Sequence, residues 1–179
     1  ATAVTIGTPK VLLSFDKRTG LMSVRKTGQE TPVVAELAPA DITEAKTELT
    51  FGARTDEYFY GGGVQNGRFS HKGQKIAIEN TNNWVDGGVA SPTPFYWSTA
   101  GYGLMWHTFK PGTYDFGQTE PGKVKLQHAE GYLDVFLMVN DGPVELLNDF
   151  YQLTGHPVLL PKFGFYEGHL NAYNRDYWT

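Results

Sequence analysis

The chain has 179 residues, of which 19% are charged and 14% aromatic, with a formal net charge of −4 and no cysteine. That length holds one sizeable core and little more, and the absence of cysteine excludes disulfides, thiol nucleophiles and thiolate metal sites. The acidic balance argues against nucleic acid or an anionic membrane as partner, since both select a basic face, and no apolar run approaches the ~20 residues of a membrane span.

The first third reads as short strands. Ala3-Val4-Thr5-Ile6 and Val11-Leu12-Leu13-Ser14-Phe15 are β-rich runs separated by the breakers Gly7-Thr8-Pro9. A polar turn, Asp16 to Gly20, leads into a third strand from Leu21 to Lys26, with Thr27 to Glu30 as the next turn. Strand, turn and strand at this spacing predict a β-meander feeding a sandwich. From Tyr58 to Pro94 glycine is dense and apolar runs are short, which predicts long irregular loops, a feature that is usually functional inside a compact domain. Strand character returns in Phe95 to Ser98, Gly103 to His107, Thr113 to Phe116 and Tyr132 to Val139.

One helix is marked by Asp141 as its cap, Pro143 in its first turn, and Gly155 with Pro157 at its end. Val144, Leu147, Tyr151 and Thr154 share one face at helical spacing, and Leu146, Phe150 and Leu153 widen the stripe. Val158-Leu159-Leu160-Pro161 then reads as a bridge between domains, and Phe163 to His169 as a new strand. Position 1 is not Met, no basic and apolar leader pattern follows it, and Tyr177 and Trp178 stand at the far end. The expectation is a segment of a longer polypeptide, with no compartment indicated.

Sugar sites need aromatic faces for the apolar side of a pyranose and carboxylates or amides for its hydroxyls, because a buried hydroxyl left unpaired is costly. The stretch Glu79-Asn80-Thr81-Asn82-Asn83-Trp84-Val85-Asp86-Gly87-Gly88 supplies both; equally, Asn, Asp and Gly are what turns are made of. Gly61-Gly62-Gly63 lacks the Lys-Ser/Thr ending of a phosphate loop and reads as a close-approach turn. His71, His107, His128, His156 and His169 show no metal-ligand spacing, so no metal or cofactor is expected, and Ser91 and Ser98 are not in a nucleophile-elbow context. Asp86, Asp115, Asp134 and Glu167 are the candidate carboxylates for a glycosidase pair, but spacing alone brings no two of them together.

Several segments together resemble family 31 glycoside hydrolases, the α-glucosidase, α-xylosidase and α-transglucosylase group. They are Lys17 to Val24, Phe59-Tyr60-Gly61-Gly62-Gly63, Pro94-Phe95-Tyr96-Trp97-Ser98 with Gly101 to Trp106, and Leu146 to Pro157, in the family's order. The resemblance implies a mainly β chain: an antiparallel, galactose-mutarotase-like β-sandwich over residues 1–160, then the first strand of a (β/α)8 barrel over 161–179. It also implies a retaining double displacement whose two Asp residues lie on later barrel strands, so no catalytic residue is expected in this chain. What carries over is a substrate contact from a sandwich loop bearing Asn-x-Asp. Here Asn80-Thr81-Asn82 keeps the Asn and replaces the Asp, and Asp86 is the other candidate carboxylate. The expected substrate-binding residues are therefore Asn82, Trp84 and Asp86, with Glu167 and His169 lining the site from the first barrel strand. The implied function is the N-terminal part of a retaining α-glycoside hydrolase acting on α-linked oligosaccharides, whose partners are the sugar and the rest of its own polypeptide. The alternatives are a transglycosylase of the same family and a non-catalytic carbohydrate-binding sandwich.

Overall fold

The computed structural model describes residues 2–161 of the chain. The N-terminal meander is as expected: β1 (Ala3–Gly7), β2 (Val11–Asp16) and β3 (Leu21–Lys26) pair antiparallel in succession. Asp16 builds the turn between β2 and β3, its Oδ1 accepting from the Arg18 amide at 2.8 Å while Gly20, at φ +72°, donates its amide to the Asp16 carbonyl. The chain continues through β4 (Val34–Ile42), β5 (Thr47–Gly52), β6 (Phe59–Gln65), β7 (Lys75–Ile78), β8 (Val89–Ser98), β9 (Tyr102–Trp106), β10 (Gly112–Asp115), β11 (Lys123–His128) and β12 (Val135–Val139) to one helix, α1 (Pro143–Thr154).

These strands form two sheets. The larger has the order β1-β2-β3-β4-β5-β11-β10-β7, and the smaller β12-β9-β8-β6. Alternate residues of each fill the space between: Leu49 and Phe51 of β5, Val124 and Leu126 of β11 and Tyr114 of β10 meet Tyr96, Tyr102, Leu104 and Trp106 of the small sheet. The result is the expected antiparallel β-sandwich. The aromatic run Phe95-Tyr96-Trp97 does not alternate with polar residues because β8 is covered on both faces. Tyr96 points into the sandwich, while Phe95 stacks on Phe150 of α1 at 4.2 Å and Trp97 packs beside it.

The segment expected to be irregular, Tyr58 to Pro94, instead contains β6, β7 and the start of β8. Its glycines are the reason. Gly61, Gly62 and Gly63 all have positive φ and form an irregular, bulged crossing of β6 against β8 rather than a turn between elements. A Cβ on Gly63 would lie 2.1 Å from the Ser91 carbonyl oxygen, and one on Gly61 2.7 Å from that of Phe95, so the expected close approach is present in strand form.

Two expectations about the helix are corrected. Gly142 occupies the cap position with no side-chain cap bond, and Asp141 instead pairs with Lys26 at 2.5 Å. The buried face centres on Leu146, Leu147 and Phe150, while Val144, Leu153 and Thr154 are exposed. The strand expected from Tyr132 begins at Val135. The strand expected over Phe163 to His169 lies outside the described residues.

Two buried histidines are held neutral. His128 donates Nδ1–H to the Lys110 carbonyl at 2.9 Å and accepts from the Tyr114 hydroxyl at Nε2, 3.0 Å away. His71 donates Nε2–H to the Gly61 carbonyl at 2.8 Å, and its Nδ1 is buried without a partner among the described residues. Burial pushes both imidazoles below their ordinary value, outweighing the backbone carbonyls that favour the cation. A folded-state value below the unfolded one means full stability above about pH 6.5 and loss as the pH falls below it. Urea melts at pH 7.5 and 5.0 are therefore expected to show lower stability in acid, by up to about 1.4 kcal/mol per pH unit for each imidazole, and His128→Gln to flatten that slope. For the glycine crossing, Gly63→Ala is expected to cost more than the about 1–3 kcal/mol of a left-handed non-glycine residue, because the β6–β8 ladder must also open. Gly73→Ala is the control: its φ is +70° but nothing lies within 4 Å, so a denaturant midpoint for Gly63→Ala no lower than the control's contradicts this reading.

Candidate functional site

The loop singled out in the sequence connects β7 to β8, between Ile78 and Val89. Asn66, just after β6, clamps its base. The Asn66 amide donates to the Gly88 carbonyl at 3.0 Å, its carbonyl accepts from the Gly87 amide at 2.8 Å, and its Nδ2 donates to the Asn83 carbonyl at 2.8 Å. Within the loop Asn80 Oδ1 accepts the Asn82 amide at 3.0 Å and Asn83 Oδ1 accepts the Val85 amide at 3.2 Å. Asn82 sits at φ +50°, the only non-glycine positive φ among the described residues, a conformation asparagine tolerates better than most. Its Oδ1 accepts the Trp84 indole N–H at 2.9 Å and so holds a ring that is 70% exposed. The side-chain oxygens of Asn80 and Asn83 thus build the turns of this loop, and that of Asn82 orients the tryptophan.

Asp86 differs. It faces a cleft of about 370 Å³ shared with Gly67, Arg68, Phe69, Ser70 and Gln74, a lining that includes neither Asn82 nor Trp84. Gly67 makes room for it: at φ +71°, a Cβ there would fall 1.4 Å from Asp86 Oδ1. Among the described residues no hydrogen bond or ion pair engages the Asp86 carboxylate or the Arg68 guanidinium. Phe69 is 88% exposed. The structure therefore pairs Asn82 with Trp84 and places Asp86 in a cleft with other residues, while Glu167 and His169 lie outside the described residues. Arg68 and Phe69 gave no signal in sequence, since they come from the β6–β7 connection, where nothing in the local pattern marks them.

Of the other carboxylates singled out, Asp134 and Asp115 lie among the described residues, and both are structurally engaged. Asp134 pairs with His107 Nδ1 at 2.8 Å. Asp115 accepts the amides of Gly117, Gln118 and Thr119 and the Thr119 hydroxyl. Burial pushes its carboxyl up, but those hydrogen bonds together outweigh burial and hold it below the ordinary carboxylate range. Ser98 donates its hydroxyl to buried Glu57. Among the described residues no group of three or more His, Asp or Glu side chains could hold a metal ion, and no helix is long and apolar enough to cross a membrane. A second, larger cleft of about 530 Å³ is mainly apolar, lined by Pro94, Met105, Phe109 and Phe150 together with Glu79 and Asn80 at the root of the loop.

Comparison with known proteins decides the family. The model of the glycosyl hydrolase 31 N-terminal galactose mutarotase-like domain matches residues 2–115. The chain belongs to that family. An α-xylosidase of Emericella nidulans is 31% identical over 140 residues, covering 69% of this chain and 15% of the relative. The α-xylosidase XylQ of Lactiplantibacillus pentosus is 28% identical over 137 residues, covering 74% of this chain and 17% of the relative. The chain thus spans under a fifth of the length of these curated relatives. Among solved structures, the cycloalternan-forming enzyme from Listeria monocytogenes, in complex with a pentasaccharide substrate, superposes with a TM-score of 0.83 at 19% identity, covering 92% of this chain and 17% of its own. The family 31 dextranase of Flavobacterium johnsoniae, complexed with glucose, gives 0.80 at 18%, covering 90% and 20%. At such identities the likeness establishes the galactose-mutarotase-like sandwich fold, in agreement with the family model.

The Asn82–Trp84 bond yields a direct test. Asn82→Ala removes the acceptor, so the Trp84 indole N–H resonance, assigned by its loss in Trp84→Phe, is expected to move toward its free position and to exchange faster with solvent. An unmoved signal in Asn82→Ala means the indole is not held this way.

Proposed function

We propose that this chain is the N-terminal part of a retaining α-glycoside hydrolase acting on α-linked oligosaccharides, and that it contributes a substrate-binding loop to chemistry performed by two Asp residues beyond it. Membership of the family 31 N-terminal domain carries the glycosidase reading. The α-xylosidases among the relatives support an α-linked substrate. The dextranase complexed with glucose and the cycloalternan-forming enzyme with its pentasaccharide support a sugar as the ligand.

In this proposal residues 1–160 are the sandwich with its helix and bridge, and 161–179 begin the catalytic barrel. The exposed apolar run Val158, Leu159 and Leu160 directly before the join supports this division, because exposed apolar stretches favour a partner surface. Asp86 would accept sugar hydroxyls with its unengaged carboxylate, and Trp84, held by Asn82, would lie against the substrate. Glu167 and His169 are assigned to the site from the first barrel strand. The second reading, a transglycosylase of the same family, is favoured by the cycloalternan-forming neighbour; the two differ in whether water or a second sugar takes the glycosyl group from the covalent intermediate.

The test is steady-state kinetics on the full-length enzyme. Loss of one charge-assisted hydrogen bond at about 1.5–3 kcal/mol predicts that Asp86→Ala lowers kcat/KM about 10- to 100-fold. Trp84→Ala is expected to lower it less, with both variants retaining the wild-type melting temperature. Unchanged kinetics in both variants would show the loop to be structural only.

A further inference from the structure

We propose that Arg68, Phe69 and Asp86 form a single cleft for one neutral pyranose ring, with Phe69 supplying the apolar face of that cleft, which Trp84 does not line. The inference rests on the carbohydrate reading above and deepens it. Two successive connections, β6–β7 and β7–β8, are brought together by the Asn66 clamp, and they deliver an aromatic ring, a guanidinium and a carboxylate to one cleft of about 370 Å³. That volume lies within the about 300–1,000 Å³ usual for small-ligand clefts.

The charges select the ligand class. Arg68 and Asp86 share the cleft but are not within ion-pair distance of each other, and neither side chain has another hydrogen-bond partner among the described residues. An anionic ligand would meet the Asp86 carboxylate, and a cation the Arg68 guanidinium. A neutral polyol satisfies both, donating its hydroxyls to the carboxylate and accepting from the guanidinium with their oxygens. Gln74 adds an amide to the same lining.

Phe69 provides the third element. An 88% exposed phenyl is an unusual surface residue, and this one is supported rather than dangling. Its ring meets Tyr60 edge-on at 5.6 Å, and Tyr60 in turn stacks on Trp97 at 4.5 Å. A ring braced in this way and open to solvent is a platform for the C–H face of a sugar. Trp84, by contrast, lies outside the cleft lining. Gly67 completes the arrangement as a positioning residue, because only a residue without Cβ lets the Asp86 carboxylate reach its place.

The experiment measures kcat/KM of the full-length enzyme on 4-nitrophenyl α-D-xyloside and α-D-glucoside. Phe69→Ala is expected to lose about 5-fold or more and Arg68→Ala about 10-fold or more, with Phe69→Trp retaining activity. Gly67→Ala is expected to match Asp86→Ala, and the Gly67→Ala/Asp86→Ala double variant to be no worse than Asp86→Ala, a non-additivity that general unfolding would not produce. Wild-type kinetics for Phe69→Ala and Arg68→Ala, with Asp86→Ala or Trp84→Ala impaired, overturn this inference and leave the loop reading standing. Absence of turnover of either glycoside by the unmodified enzyme, or wild-type kinetics for all four alanine variants, overturns both.

Discussion

Strand β8 has to approach β6 at backbone distance while being buried on both of its faces, and most of the molecule is arranged around that requirement. The approach is closest at Gly61 and Gly63, where a side chain would occupy the space of the Phe95 and Ser91 carbonyls. Tyr96 then reaches the centre of the sandwich, where it packs against Tyr114 of the opposite sheet and Phe116 just past the end of β10. On the outer face Phe95 and Trp97 need a cover, which α1 supplies through Phe150 and Leu147. The helix is thus held by packing more than by its own ends: its cap residue is a glycine without a side-chain bond, and isolated helices of 12 residues are marginal in water.

The same crossing places the loop. Because β6 and β8 are neighbours in the small sheet, the residues that follow Gln65 and those that precede Val89 emerge side by side. Asn66 can therefore bond both limbs of the loop at once. Its three hydrogen bonds fix the base, and the Asx-type bonds of Asn80 and Asn83 fix the interior. With the amide oxygens of Asn80, Asn82 and Asn83 committed to shape, the charged groups of the two connections that face the cleft without a partner among the described residues are the Asp86 carboxylate and the Arg68 guanidinium.

Much of the fold was legible because binary pattern and turn chemistry agree. Asp16 to Gly20 between two β-rich runs has a single local solution, and it is the one observed. The helix was legible from Pro143 and Gly155, yet its cap and buried stripe were misread, since Asp141 finds a better partner in Lys26 and the sheet below selects Leu146 rather than Val144. The strict alternation of Lys123 to His128 is likewise a local strand signal, and it forms β11. β6 was hidden for the opposite reason: three consecutive glycines look like a loop, and only the neighbouring backbone explains why they form a strand.

The candidate site divides in the same way. That the Asn80–Gly88 loop combines an aromatic residue with a carboxylate is visible in composition, but which of its polar groups remain unengaged is a property of three-dimensional geometry. Arg68 and Phe69 could not be found from sequence, because nothing local distinguishes a solvated arginine from one that faces a carboxylate across a cleft. The two clefts that the Asn80–Gly88 loop touches also differ chemically. The larger presents a mainly apolar lining and lies beside the helix that leads to the exposed run Val158 to Leu160. The smaller holds opposite charges that do not pair with each other. Apolar area is non-directional and suits the burial of a protein surface, whereas unengaged charges with fixed geometry discriminate among hydroxyl patterns. The Asn80–Gly88 loop takes part in both clefts, lining the apolar one through Asn80 and the charged one through Asp86 and Gly87.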